Sequence, residues 1–228
     1  MPLPMGLTTT PLFAGGTTTP LLAAALAVGL AAVHPLAERV PSGRDDHRWV
    51  VSAAGGASLA YVLVLVLPEV NEAVLRAVES TRGSAGFFSR EMEVYVVVLL
   101  GFLAFYGVHA GAARVADGDA EVTTTVFRVH LAVFAAYEAL VGYLLFHQER
   151  SGPTALVLYG VAMALHFLVT DEGLRRHHGR AYDRVGRWVL AAAVLLGGAT
   201  GALTTVASGP LALAFAFLAG AIVCNVLK

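Results

Sequence analysis

Two neighbouring apolar stretches of this chain carry acids and imidazoles where apolar side chains are expected. His130 and Glu138 lie in one stretch, His166 and Asp171 in the next. Neutral imidazole and carboxylate are common ligands of zinc and related divalent ions. The same pairing can relay protons, because a neighbouring carboxylate moves a histidine's titration through the physiological range. A third chemistry is a buried hydrogen-bonded pair that fixes helix register. Two further ionisable groups have simpler readings. Glu69, after Pro68, ends an apolar stretch and can reach an interface, and His109, close to Arg114, can pack or snorkel.

The solvent around these groups follows from composition. Of 228 residues, 57% are apolar and only 14% are charged, against roughly 25% charged in a soluble domain. Mean hydropathy is +0.71. The net charge of -1 gives no basic field for nucleic acid. The single cysteine, Cys224, excludes an intrachain disulfide framework and a Cys-based zinc motif. No charged n-region precedes the first apolar run, so it reads as a retained span and not a cleaved signal.

A spanning helix needs about 20 mostly apolar residues. Seven segments qualify, approximately 19–37, 49–70, 92–114, 125–147, 153–174, 185–205 and 209–227. No sustained period-two alternation suggests strands, so the expected fold is one all-α polytopic membrane helix bundle over residues 1–228. The fourth and fifth spans are joined by a short turn, Gln148 to Gly152, and should be antiparallel neighbours. Counted inward from that turn at 1.5 Å per residue, Glu138 lies roughly 13 Å deep and His166 roughly 18 Å. His130 and Asp171 both lie roughly 25 Å deep on the same count. Glu138 with His166 can therefore form one acid–imidazole pair near the midplane, and His130 with Asp171 a second nearer one surface. The helix runs on past Asp171 to His178, and His166, Thr170, Gly173 and His177 share one of its faces.

Arginine placement sets the expected orientation. Arg39, Arg44, Arg48, Arg114, Arg128, Arg175, Arg176, Arg180, Arg184 and Arg187 hold or border the first, third and fifth connections. Arg76, Arg82, Arg90 and Arg150 stand on the other side. This bias puts the N-terminus outside and the C-terminus in the cytoplasm, with Trp49 and Trp188 at the inner interface. Gly107 with Gly111 and Gly197 with Gly201 are small pairs four apart, which let helices approach closely in lipid.

Several phrases resemble the ZIP family of divalent-metal transporters. The second span ends Leu65-Val66-Leu67-Pro68-Glu69, and the third holds Leu100-Gly101-Phe102-Leu103-Ala104-Phe105-Tyr106. His166 opens a polar run, followed by a charged turn and a Gly-rich sixth span. The family's fourth helix carries His-Asn-x-x-Asp and its fifth His-Glu-x-Pro-x-Glu. Here the fifth reads His166-Phe167-Leu168-Val169-Thr170-Asp171, so only the histidine matches. His130 and Glu138 are eight apart where the motif needs four, so only one of them can take a family position. The usual paired-metal site is not intact, and the chain has seven spans where the family has eight, as a truncated form or a seven-span variant.

The resemblance implies a membrane carrier for a divalent cation, zinc by default, with His130, Glu138, His166 and Asp171 as metal ligands between the fourth and fifth helices. The metal is substrate; no resident cofactor and no enzymatic activity are implied. Partners are the bilayer and the ion, with a homodimer left open. Two alternatives stand beside it: a non-transporting relative acting as sensor or structural partner, and an intramembrane zinc hydrolase. A retinal Schiff base has no mid-span lysine, since the chain's one lysine is Lys228.

Overall fold

The computed structural model describes residues 18–37, 44–68, 71–72, 90–115, 120–148, 152–206 and 208–227. Among them lie seven helical elements and no strand: α1 (Thr18–Leu36), α2 (Arg44–Tyr61, continued by a π turn at Val62–Val66), α3 (Arg90–Val115), α4 (Ala120–Leu144), α5 (Pro153–His178), α6 (a π turn at Tyr182–Gly186, then Arg187–Leu203) and α7 (Ser208–Val226). Five, α2 to α6, are long and apolar enough to cross a membrane. The apolar parts of α1 and α7, Pro20–Leu36 and Pro210–Val226, are shorter. The architecture is the all-α polytopic bundle that the apolar periodicity predicts, with each helix within a few residues of its expected segment. Glu69 lies outside the described residues.

Helix ends follow local chemistry. At α5, Gly152 takes φ 123° just before Pro153, whose fixed φ and missing N–H suit the first helical position. The helix closes on Gly179, at φ 49°, whose N–H donates to the Arg175 carbonyl at 2.8 Å. That cap turns the chain sharply and returns it as α6.

The bundle is organised by pairs that are distant in sequence. The most extensive packing is α4 on α6 and α3 on α7, while α5 lies chiefly on α2 and α1. Glycines make the first two pairs close. A Cβ on Gly197 would stand 1.8 Å from the Ala139 carbonyl oxygen, and one on Gly142 2.2 Å from that of Val194. Gly220 and Gly101 play the same part between α7 and α3, against the carbonyls of Val98 and Phe217. The expected Gly197–Gly201 seam is therefore internal. The Gly107–Gly111 pair is not, since a Cβ on either meets nothing within 4 Å.

The short α4–α5 turn predicts that these two helices are antiparallel neighbours, yet their backbones pack little on each other. Side chains bridge them instead: the Tyr159 hydroxyl donates to the Val141 carbonyl at 3.0 Å. Ser58 of α2 fastens to α5 through the Ala162 carbonyl at 3.2 Å. Because α1 packs on both α5 and α6, it brings its last turn into the middle of the bundle.

Candidate functional site

The buried polar centre is built on a residue outside the expected ligand set. His34, in the last turn of α1, is fully buried, with its imidazole between two acids. Its Nδ1 lies 2.9 Å from Asp171 Oδ1 on α5, and its Nε2 lies 3.1 Å from Glu138 Oε2 on α4. The Asp171 contact is an aligned hydrogen bond. The Glu138 contact is an ion pair through Oε2, and the other oxygen, Oε1, is left without a hydrogen-bond partner. The ring stacks on Phe167 at 5.0 Å between centroids, which fixes its plane.

Tyr182 completes the centre from α6. Its hydroxyl donates to Asp171 Oδ1, the same oxygen that faces His34. Asp171 Oδ2 is left buried without a hydrogen-bond partner. Glu138, His34, Asp171 and Tyr182 thus form one polar chain drawn from four helices, and all four are fully buried.

The expected pairings are not formed. Glu138 does not pair with His166, nor His130 with Asp171; both acids go to His34. Depth counting along isolated straight helices placed the two acids far apart, and it could not include α1, which enters between them. His166 is buried beside Tyr137, with ring centroids 5.7 Å apart. Its Nε2 lies 3.3 Å from the Thr170 hydroxyl, and its Nδ1 has no hydrogen-bond partner.

His130 belongs to a second group. Its Nδ1 lies 2.8 Å from Nε2 of His178, so one ring must donate and the other accept. His109 stands edge-on to His130 with centroids 5.7 Å apart, and its Nε2 lies 2.8 Å from Asn225 Oδ1 on α7. At the end of α5 it is therefore His178 that turns inward; His177, on the expected His166 face, bonds back to the Gly173 carbonyl one turn earlier, at 2.8 Å, and lies beside the His178 ring.

The sequence signal for His34 was present. A histidine followed by proline inside an apolar run is an ionisable group in a span, which is a functional candidate by default. It lies inside the first expected span, 19–37, and stands outside the candidate set only because that set was drawn from the acids and imidazoles of the later spans.

Two capacities and one limit follow from this arrangement. The centre can hold protons, because each contact between His34 and an acid needs a proton on one partner. It has unfilled acceptor capacity on both acids, which is costly in a buried setting, about 1–3 kcal/mol for each unsatisfied group. It does not hold three converging metal ligands as it stands, and among the described residues no group of three His, Cys, Asp or Glu does. With an imidazole ring between them, the two acids cannot share one ion until the ring moves. Comparison with family models, characterised proteins and solved structures yields no match.

Proposed function

We propose that this chain is an integral multi-pass membrane carrier for a divalent metal cation, zinc being the default, with Glu138 and Asp171 as the central carboxylates. The observation that carries this reading is the pair of fully buried acids on different helices, with Oε1 of Glu138 and Oδ2 of Asp171 left without a hydrogen-bond partner. Buried acids at membrane depth face an ion path or a paired partner, and they are expensive to keep otherwise. Carriers bind their ions at midplane sites between helices.

In this reading the structure is the substrate-free, closed form. The imidazole of His34 occupies the gap between the acids that a cation would take, and its departure opens the gap. The freed carboxylates and the His34 ring then supply oxygen and nitrogen ligands of the kind zinc takes. His166, with Nδ1 free and one α5 turn from Thr170, lies on the same helix as Asp171 and is the nearest further imidazole in sequence. The His109–His130–His178 group would be a second imidazole-rich station toward the α5–α6 turn. The arginine bias puts that turn in the cytoplasm and the N-terminus outside, making cytoplasmic delivery the direction of transport.

One observation favours a second reading, in which the centre is a structural lock in a non-transporting protein: His34 already engages both acids. Zinc binding separates the two. Purified protein should be stabilised by zinc, cadmium or cobalt(II) only if the acids can leave His34 for an ion, and Glu138→Gln should remove that stabilisation.

A further inference from the structure

Tyr182 stands between the buried centre and one end of the bundle. It is fully buried, and its hydroxyl donates to Asp171 Oδ1. On its other side the Arg175 guanidinium carbon lies 5.9 Å from its ring centroid. Arg175 Nε in turn donates to Asp183 Oδ1 at 3.0 Å, and the Asp183 side chain is 41% exposed. A single run of side-chain contacts therefore leads from half-exposed Asp183, beside the α5–α6 turn, through Arg175 and the phenol ring to Asp171.

The backbone is shaped to keep it there. Tyr182 opens the π turn Tyr182–Gly186, in which the Arg187 N–H reaches back to the Tyr182 carbonyl. Such turns insert one residue into a helix and re-aim its side chains. Gly186 leaves room for the ring: a Cβ there would stand 2.6 Å from Tyr182 Cδ2. A side chain at that position has to push the phenol off its seat.

We propose that Tyr182 is the closure of the polar centre toward the α5–α6 turn, a positioning residue that holds Asp171 and bars the aqueous path from that end. The inference rests on reading Glu138 and Asp171 as the cation station. Tyr182 is not itself a ligand. Its hydroxyl occupies Oδ1 and leaves Oδ2 as the Asp171 oxygen available to an ion, and its ring must swing aside for an ion to leave.

The test reads access directly and needs no metal. Full-length protein is treated with a water-soluble carbodiimide and an amine nucleophile, and modification of Asp171 and Glu138 is followed by peptide mass spectrometry. Wild type should label slowly. Tyr182→Phe loses the hydrogen bond to a charged group and Gly186→Ala displaces the ring, so each should accelerate labelling of Asp171 roughly tenfold through more frequent local opening. Tyr159→Phe, which removes a buried hydroxyl bond between α4 and α5 away from this end, should leave labelling slow. Equal rates in wild type, Tyr182→Phe and Gly186→Ala would overturn the proposal, and so would equal acceleration by Tyr159→Phe. Zinc-induced thermal shifts on the same samples judge the station separately. If zinc fails to stabilise wild type, the carrier reading fails, while the labelling contrast still decides whether Tyr182 closes the centre.

Discussion

His34 holds the centre together because, among the described residues, it bridges the two acids, 2.9 Å from Asp171 and 3.1 Å from Glu138. Removing it leaves two buried carboxylates near each other with no imidazole to share their protons. Breaking a buried ion pair by deleting one partner is destabilising by about 3–5 kcal/mol, so His34→Ala should lower the melting temperature sharply in detergent. Glu138→Gln keeps the shape and removes a charge, and its loss should be clearly smaller. Comparable melting of the two variants would mean that the imidazole carries no special role. The acids and imidazoles of α4 and α5 were legible in the sequence because ionisable groups are conspicuous among apolar neighbours. Their partners were not legible. Pairing depends on helix rotation and on which third helix enters between, and neither is encoded in the local spacing of Glu138 and Asp171.

At the scale of elements, the seven apolar runs correspond to seven helices among the described residues, the form that apolar segments of that length would take in lipid. The neighbour relations were harder to foresee. A short turn suggested that α4 and α5 pack together, yet glycine seams draw α4 onto α6 and α3 onto α7. Those seams make distinct predictions. Gly197→Ala and Gly220→Ala each drive a methyl into a facing carbonyl and should be destabilising by about 1–3 kcal/mol, the range for overpacking. Gly107→Ala and Gly111→Ala meet open space and should melt within error of wild type. Thermal unfolding of the four variants in one detergent checks both halves. A loss at Gly107 or Gly111 matching that at Gly197 would show a contact, such as a second copy, on the outer face of α3.

For the whole molecule, the orientation we propose from the arginine distribution has the α5–α6 turn in the cytoplasm and the α6–α7 connection outside. In a Cys224→Ser background, a cysteine at Arg180 should react with a membrane-impermeant maleimide only after cells are opened. One at Thr204 should react in intact cells. Both positions are exposed, so the reverse pattern would invert the proposed topology and the proposed direction of transport with it.

The central claim is that Glu138 and Asp171 can exchange His34 for a cation, and zinc-dependent thermal stability of the purified protein tests it most directly. A ligand bound only by the native state stabilises it by RT ln(1 + [L]/Kd), about 2.7 kcal/mol at a hundredfold excess over Kd. The account predicts that zinc raises the wild-type melting temperature, and that Glu138→Gln and Asp171→Asn each abolish the rise. A wild-type melting temperature indifferent to zinc, cadmium and cobalt(II), or a rise that survives in both variants, would contradict it and leave the polar centre as a lock.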